Sequence, residues 1–91
     1  MATVHLPTPL RKFTAGQSEV EVAGDTVIDV LNALEEKHQG IRAYLFDTNQ
    51  ELKRHVRLFL NDEDVAHIDG WRNQALGDKD TIFFVVAMAG G

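Results

Sequence analysis

Apolar residues follow two rhythms along this chain, and the change of rhythm divides it into elements. At the start, Val4 and Leu6 alternate with Thr3 and His5; further on, Val20 and Val22 alternate with Glu19 and Glu21. A period of two gives each segment one apolar face, so both read as short strands. Pro7-Thr8-Pro9 ends the first and Gly16-Gln17 precedes the second. An irregular hairpin follows, with Leu10 and Phe13 tucked back under the sheet.

The rhythm then lengthens. Val27, Val30, Leu31 and Leu34 stand at i, i+3, i+4 and i+7, one stripe of a helix. Thr26 with Asp29 has capping-box form, and Asp25 is an equally good N-cap. Asp29 near the start, Lys37 and His38 near the end, and Gly40 beyond as C-cap all agree with the helix dipole. The predicted helix runs from Thr26 to Gln39. Ile41 to Leu52 has no clear period; Ala43-Tyr44-Leu45-Phe46 reads as a short helical turn before the polar loop Asp47-Thr48-Asn49-Gln50.

Alternation returns from His55 to Leu60, with Val56, Leu58 and Leu60 on one face and Arg57 and Phe59 on the other. Asn61-Asp62-Glu63-Asp64 reads as a polar turn and Val65 as the start of a short return strand. Gly70, Gly77 and Asp78-Lys79-Asp80 punctuate the stretch before the apolar run Thr81-Ile82-Phe83-Phe84-Val85-Val86, a buried strand. The order predicts an α+β fold, a mixed sheet of about five strands with one main helix packed across it. If the two end strands pair in parallel at mid-sheet, a β-grasp results; periodicity alone does not dictate that pairing. Leu58, Leu60, Ile82, Phe84 and Val86 take the helix-facing side. Phe59, Phe83 and Val85 then face away from the helix, where exposed apolar groups mark a docking surface for a partner.

Composition narrows the class. Ninety-one residues, 44% hydrophobic and 25% charged, suit one domain spanning 1–91 with a flexible tail at 87–91. With no Cys, disulfides, thiolate ligands and cysteine nucleophiles are excluded. His5, His38, His55 and His67 lack ligand spacing, so no metal site is expected. Asp62, Glu63 and Asp64 do not match a calcium loop and read as a solvated turn. Thr81 and Ser18 have no His/Asp arrangement to activate them, and Trp71 reads as a core or rim aromatic. A net charge of −5 argues against a nucleic-acid partner. No apolar stretch nears the ~20 residues of a membrane span and no leader pattern opens the chain, so the expectation is cytoplasmic, without a membrane partner.

The end of the chain holds the chemistry. Met88-Ala89-Gly90-Gly91 comes directly off the last strand. At about 7% average usage, two terminal glycines arise by chance in roughly 0.5% of chains. Lacking Cβ, Gly90 and Gly91 fit a slot too narrow for other residues, with Ala89 and Met88 small or pliant behind them. The reactive group is then the Gly91 carboxylate.

Pro7-Thr8 with Leu10-Arg11, Gly16-Gln17, Gly24-Asp25-Thr26, Asn61-Asp62-Glu63-Asp64-Val65 and Ala89-Gly90-Gly91 fall in one family order and spacing. On these residues nearly the whole chain resembles the ubiquitin-like sulfur-carrier family of small β-grasp proteins. That family includes the molybdopterin synthase small subunit, the thiamine sulfur carrier and the carrier used by a cysteine synthase, the type it resembles most. It departs from the family in having Phe84-Val85-Val86 where prolines often precede the tail, and Gln39 where many members have Pro.

The resemblance implies a carrier and not an enzyme, with no permanently bound cofactor. An E1-like enzyme would use ATP, with Mg²⁺, to adenylate Gly91, and a sulfur donor would convert it to a thiocarboxylate. The acceptor would be a cysteine synthase, with a metallopeptidase trimming the product, or the molybdopterin synthase large subunit. A ubiquitin-like modifier forming isopeptides through Gly91 and a passive interaction module are the alternatives.

Overall fold

The computed structural model describes residues 1–87. β1 (Ala2–His5) leads through a 3-10 helix, Thr8–Phe13, to β2 (Glu19–Val22), and α1 (Val27–Lys37) and α2 (Ile41–Leu45) follow. β3 (Val56–Leu60) and β4 (Glu63–Asp64) come next, then 3-10 turns at Val65–His67 and Trp71–Asn73, and β5 (Thr81–Val86). The sheet order is β2-β1-β5-β3-β4. β1 and β5 run parallel at its centre, with Val4 beside Ile82 and His5 beside Phe83, so the condition set for a β-grasp is met. β2 and β3 flank them, each antiparallel to its neighbour.

The core lies between the sheet and α1. Ala2, Val4, Val22, Val56, Leu58, Ile82 and Phe84 are buried from the sheet, and Val27, Val30, Leu31 and Leu34 from the helix stripe. Each of these Val, Leu, Ile and Phe side chains contributes about 1.5–3 kcal/mol by leaving water, and Ala2 less. Leu10 is wholly buried, while Phe13 is half-buried with its ring edge-on to Tyr44 at 5.9 Å.

Of the two N-cap candidates, Thr26 caps α1: its Oγ1 accepts the Asp29 N–H at 3.3 Å. The chain reaches that cap through Gly24, where a Cβ would lie 2.7 Å from the Val30 nitrogen and 2.8 Å from its Cγ2. Only glycine permits so close a crossing of the strand exit over the helix.

Three boundaries differ from the sequence reading. α1 stops at Lys37 and not at Gln39, with His38 as its C-cap and the His38 Nδ1 3.1 Å from the Phe13 carbonyl. Gly40 caps the start of α2 instead of the end of α1; its φ is +99°, and a Cβ there would lie 3.2 Å from the Phe13 ring. The Glu35 carboxylate reaches from α1 to accept N–H groups from Gly40 at 3.0 Å and Arg42 at 2.9 Å, satisfying donors that open α2.

Val65 does not begin the return strand. That strand is β4, because Leu60 pairs with Glu63 and the turn shrinks to Asn61-Asp62, with Asn61 at φ +55°. Asp64 then accepts the Ala66 N–H at 2.9 Å, bending the chain into a 3-10 turn that buries Val65 in the core. Asn61 also ties this turn to the start of β5, with its Oδ1 accepting the Thr81 N–H at 3.0 Å and its Nδ2 donating to Asp80 at 3.1 Å.

Glu35 and Asp80 both sit below the ordinary carboxylate range. Backbone N–H groups of Gly40 and Arg42 hold Glu35 down; the Gly77 N–H and then the Asn61 amide hold Asp80 down. A carboxyl whose pKa is lower folded than unfolded adds stability above its unfolded value and loses it as pH falls through its folded value. Wild type should therefore be more stable than Glu35→Gln at neutral pH and lose that advantage below the ordinary glutamate value of 4.5. Urea denaturation from about pH 7 to about pH 3 checks this, and an advantage unchanged across that range contradicts it.

Candidate functional site

The face of the sheet away from α1 is assembled by strand register. Phe83 and Val85 alternate outward from β5 between the inward Ile82 and Phe84. Antiparallel β3 puts Phe59 directly across from Phe83 and Arg57 across from Val85. Parallel β1 puts His5 on the other flank of Phe83, Glu19 lies across from His5, and Asp64 across from Phe59. One row, Glu19, His5, Phe83, Phe59 and Asp64, thus crosses all the strands.

Phe83 is 37% exposed and Val85 48%, while Phe59 is half-buried beside them. With Asn61 and Asp62 they line a shallow recess. The His5 ring stacks on Phe83 with centroids 4.4 Å apart and planes 13° from parallel, and its Nδ1 lies 3.5 Å from the Glu19 carboxylate. The ring of Phe83 is therefore held in place although it is open to solvent. Arg57 Nε stands 3.9 Å from Asp64.

Phe59, Phe83 and Val85, expected together, are together. His5 was not anticipated. Its outward direction was visible in the alternation with Val4 and Leu6, but its place beside Phe83 needs the β1–β5 pairing. Met88, Ala89, Gly90 and Gly91 lie outside the described residues. The chain leads toward them from Val86, with the Ala87 N–H donating to the His55 carbonyl at 2.8 Å and extending the β5–β3 ladder.

The arrangement offers apolar contact. Among the described residues no group of three or more His, Cys, Asp or Glu is set to hold a metal, and no helix is long and apolar enough to cross a membrane. None of the other histidines shares β1 with His5: His38 is the C-cap of α1, His55 immediately precedes β3 and His67 ends a 3-10 turn. Trp71 is half-buried at the rim of the core, with the Arg72 guanidinium 4.4 Å above its ring.

The fold and this open face define a class. A chain of the Amycolatopsis orientalis BexX/CysO complex superposes with a TM-score of 0.87 at 37% identity, each chain covering 100% of the other, and the architecture is that of the ubiquitin-like β-grasp proteins. Residues 4–91 match the ThiS family model, and the chain belongs to the ThiS family. Sulfur carrier protein CysO of Mycobacterium tuberculosis (strain H37Rv) is 40% identical over 91 residues, 98% of this chain and 97% of that one. Small archaeal modifier protein 3 of Haloferax volcanii is 38% identical over 66 residues, 72% of this chain and 70% of that one. The protein is thus a homologue of sulfur carriers within a ubiquitin-like group that also contains modifiers.

Replacing His5 by Ala removes the ring stacked on Phe83. The expected cost is about 0.5–1.5 kcal/mol in stability, the usual size of an aromatic pair beyond area burial. Chemical denaturation of His5→Ala checks it, together with the Phe83 ring proton shifts, which should move toward free-phenylalanine values; unchanged shifts contradict the stack.

Proposed function

We propose that this protein is a sulfur carrier, activated at the Gly91 carboxylate and donating sulfide to a biosynthetic enzyme for cysteine synthesis. The observation that carries this reading is the ThiS family match running through Gly91. A central strand leads the chain toward that end beside an exposed apolar face.

The chemistry follows from what a carboxylate lacks. It is a poor electrophile until it has a leaving group. An E1-like partner supplies one by letting the Gly91 carboxylate attack the α-phosphate of ATP, releasing pyrophosphate and forming the acyl-adenylate. Cationic groups or Mg²⁺ on the partner stabilise the phosphate charge. Sulfur from a donor then displaces AMP and leaves the thiocarboxylate.

At a pyridoxal-phosphate cysteine synthase the thiocarboxylate sulfur adds to an aminoacrylate. An acyl shift from sulfur to nitrogen leaves cysteine in amide linkage on Gly91. Hydrolysis of that amide by a metallopeptidase regenerates the Gly-Gly end. In this scheme the protein is a cosubstrate, and Phe59, Phe83 and Val85 form the surface through which its partners hold it.

A second reading rests on the likeness to small archaeal modifier protein 3. The same activated Gly91 would then be attacked by a lysine amine of a target protein, giving an isopeptide. Intact-mass analysis of the protein isolated from its own cells separates the two. Replacement of one oxygen by sulfur supports the carrier; covalent protein adducts support the modifier. Supplying the thiocarboxylate to a cysteine synthase and to a molybdopterin synthase large subunit in parallel identifies the acceptor, and transfer to the pterin precursor alone refutes the cysteine assignment.

Deleting Gly91, or adding one bulky residue after it, should abolish ATP–pyrophosphate exchange by the adenylating enzyme while the fold stays intact by circular dichroism. Exchange at the wild-type rate in the deletion refutes the carrier reading. Phe83→Ala should weaken binding to that enzyme by about 1–3 kcal/mol, the usual size for an aromatic anchor, with a smaller effect on thermal stability. Phe59→Ala should lower both, since Phe59 is half-buried. Titration calorimetry with thermal melts of the same variants distinguishes these outcomes.

A further inference from the structure

We propose that the outer face is electrically polarised along β5 and that Arg57 is its orienting contact, pairing with a carboxylate on the adenylating enzyme beside the slot that admits the chain end. This rests on the carrier reading and adds the chemistry by which the partner is recognised.

Register places the charges. Arg57 sits across from Val85, the outward residue nearest the end of β5. Its side chain is 59% exposed, and its contact with Asp64 is long, 3.9 Å. Its Nη1 donates to the Arg54 carbonyl at 3.3 Å, and Arg54, also exposed, stands just ahead of β3 at the same end of the sheet. Among the described strand residues of this face, Thr3, His5, Glu19, Glu21, Arg57, Phe59, Asp64, Thr81, Phe83 and Val85, Arg57 is the one Lys or Arg.

The opposite end has an acidic excess. Thr3 stands between Glu21 and Thr81, Asp78 and Asp80 precede β5 with Lys79 between them, and Asp62 occupies the turn tied to Thr81 through Asn61; the Met1 ammonium pairs with Asp78 at 2.7 Å, so these four carboxylates outnumber two cations. The chain carries 14 acidic and 9 basic residues, and against that negative balance Arg57 and Arg54 place two exposed cations together at the other end of the sheet.

An apolar patch alone tolerates rotation of a partner about the contact. A face that is acidic where β5 begins and cationic where it ends does not, because the reversed pose sets like charges together. The complementary partner presents a cation toward the Asp62–Asp80 end and a carboxylate toward Arg57. Guanidinium geometry favours the latter, since its planar fork meets a carboxylate with two parallel hydrogen bonds. The preferred pose is the one that points the chain end into the slot.

Stopped-flow association of the chain with the adenylating enzyme of the same organism, across a range of NaCl concentrations, tests this. Arg57→Gln, which adds no repulsion against Asp64, should slow association on the order of tenfold at low salt and flatten the salt dependence. Arg57→Lys should restore the salt dependence but not the full rate. Lys37→Gln, which removes one positive charge on α1, should leave both at wild-type values. Arg57→Gln matching wild type in rate and salt slope overturns the proposal, and so does an equal loss in Lys37→Gln, which would make net charge the cause. The two readings fail separately: normal Gly91 adenylation with an Arg57-independent rate sinks only the polarised face. Arg57-dependent association without adenylation supports the face and sinks the carrier.

Discussion

Because β1 and β5 lie side by side and parallel, with β2 and β3 antiparallel on either flank, the chain must pass from the end of β2 to the start of β3 across one face of the sheet. α1 makes that crossing, and its stripe of Val27, Val30, Leu31 and Leu34 closes the core against the inner face. The opposite face is left uncovered by the same topology. Core, helix placement and open surface are thus consequences of one pairing, and so is the direction in which β5 carries the chain toward Gly91. The pairing also brings His5, from the beginning of the sequence, onto Phe83 near its end.

What was legible in the sequence was whatever depends on near neighbours. The helix stripe, the alternations in β1, β3 and β5, and the outward placement of Phe59, Phe83 and Val85 follow from periods of two and of 3.6. The choice between Asp25 and Thr26 as cap was not legible, since both carry an acceptor oxygen. Thr26 is held there by pairing distant in sequence: it bridges Ala75, while the Val27 N–H donates to the Gln74 carbonyl at 3.1 Å and the Leu76 N–H to the Asp25 carbonyl at 2.9 Å. Gly40 misled for a related reason. A left-handed glycine after a helix usually closes that helix, but here its φ of +99° starts the next one, made possible because Glu35 supplies the acceptors.

β4 was placed late because Glu63-Asp64 has no apolar alternation to announce it; a two-residue turn and one ladder with Leu60 and Phe59 are all that define it. His5 illustrates the same limit on the functional side. Its neighbours in sequence fix which way it points, but not what it points beside. Gly90 and Gly91 lie outside the described residues; the sequence singles them out by their place after the last apolar run, and their role is a proposal argued from family membership and the chemistry of a carboxylate.

Alternation on β5 divides the work residue by residue. Ile82 and Phe84 are buried and bind the strand into the core, while Phe83 and Val85, one position away from each, are open to solvent. A one-residue change of register would exchange the two sets and destroy both at once, which makes register the strictest requirement on this strand. Substitutions among the outward residues, by contrast, leave the core untouched and can redirect which partner is held. That separation gives a physical route by which one fold serves both sulfur carriers and protein modifiers among its relatives. On the carrier reading proposed above, the activated end would stay the same while the outer face, with Arg57 and Phe83 within it, would select the enzyme to which that end is delivered.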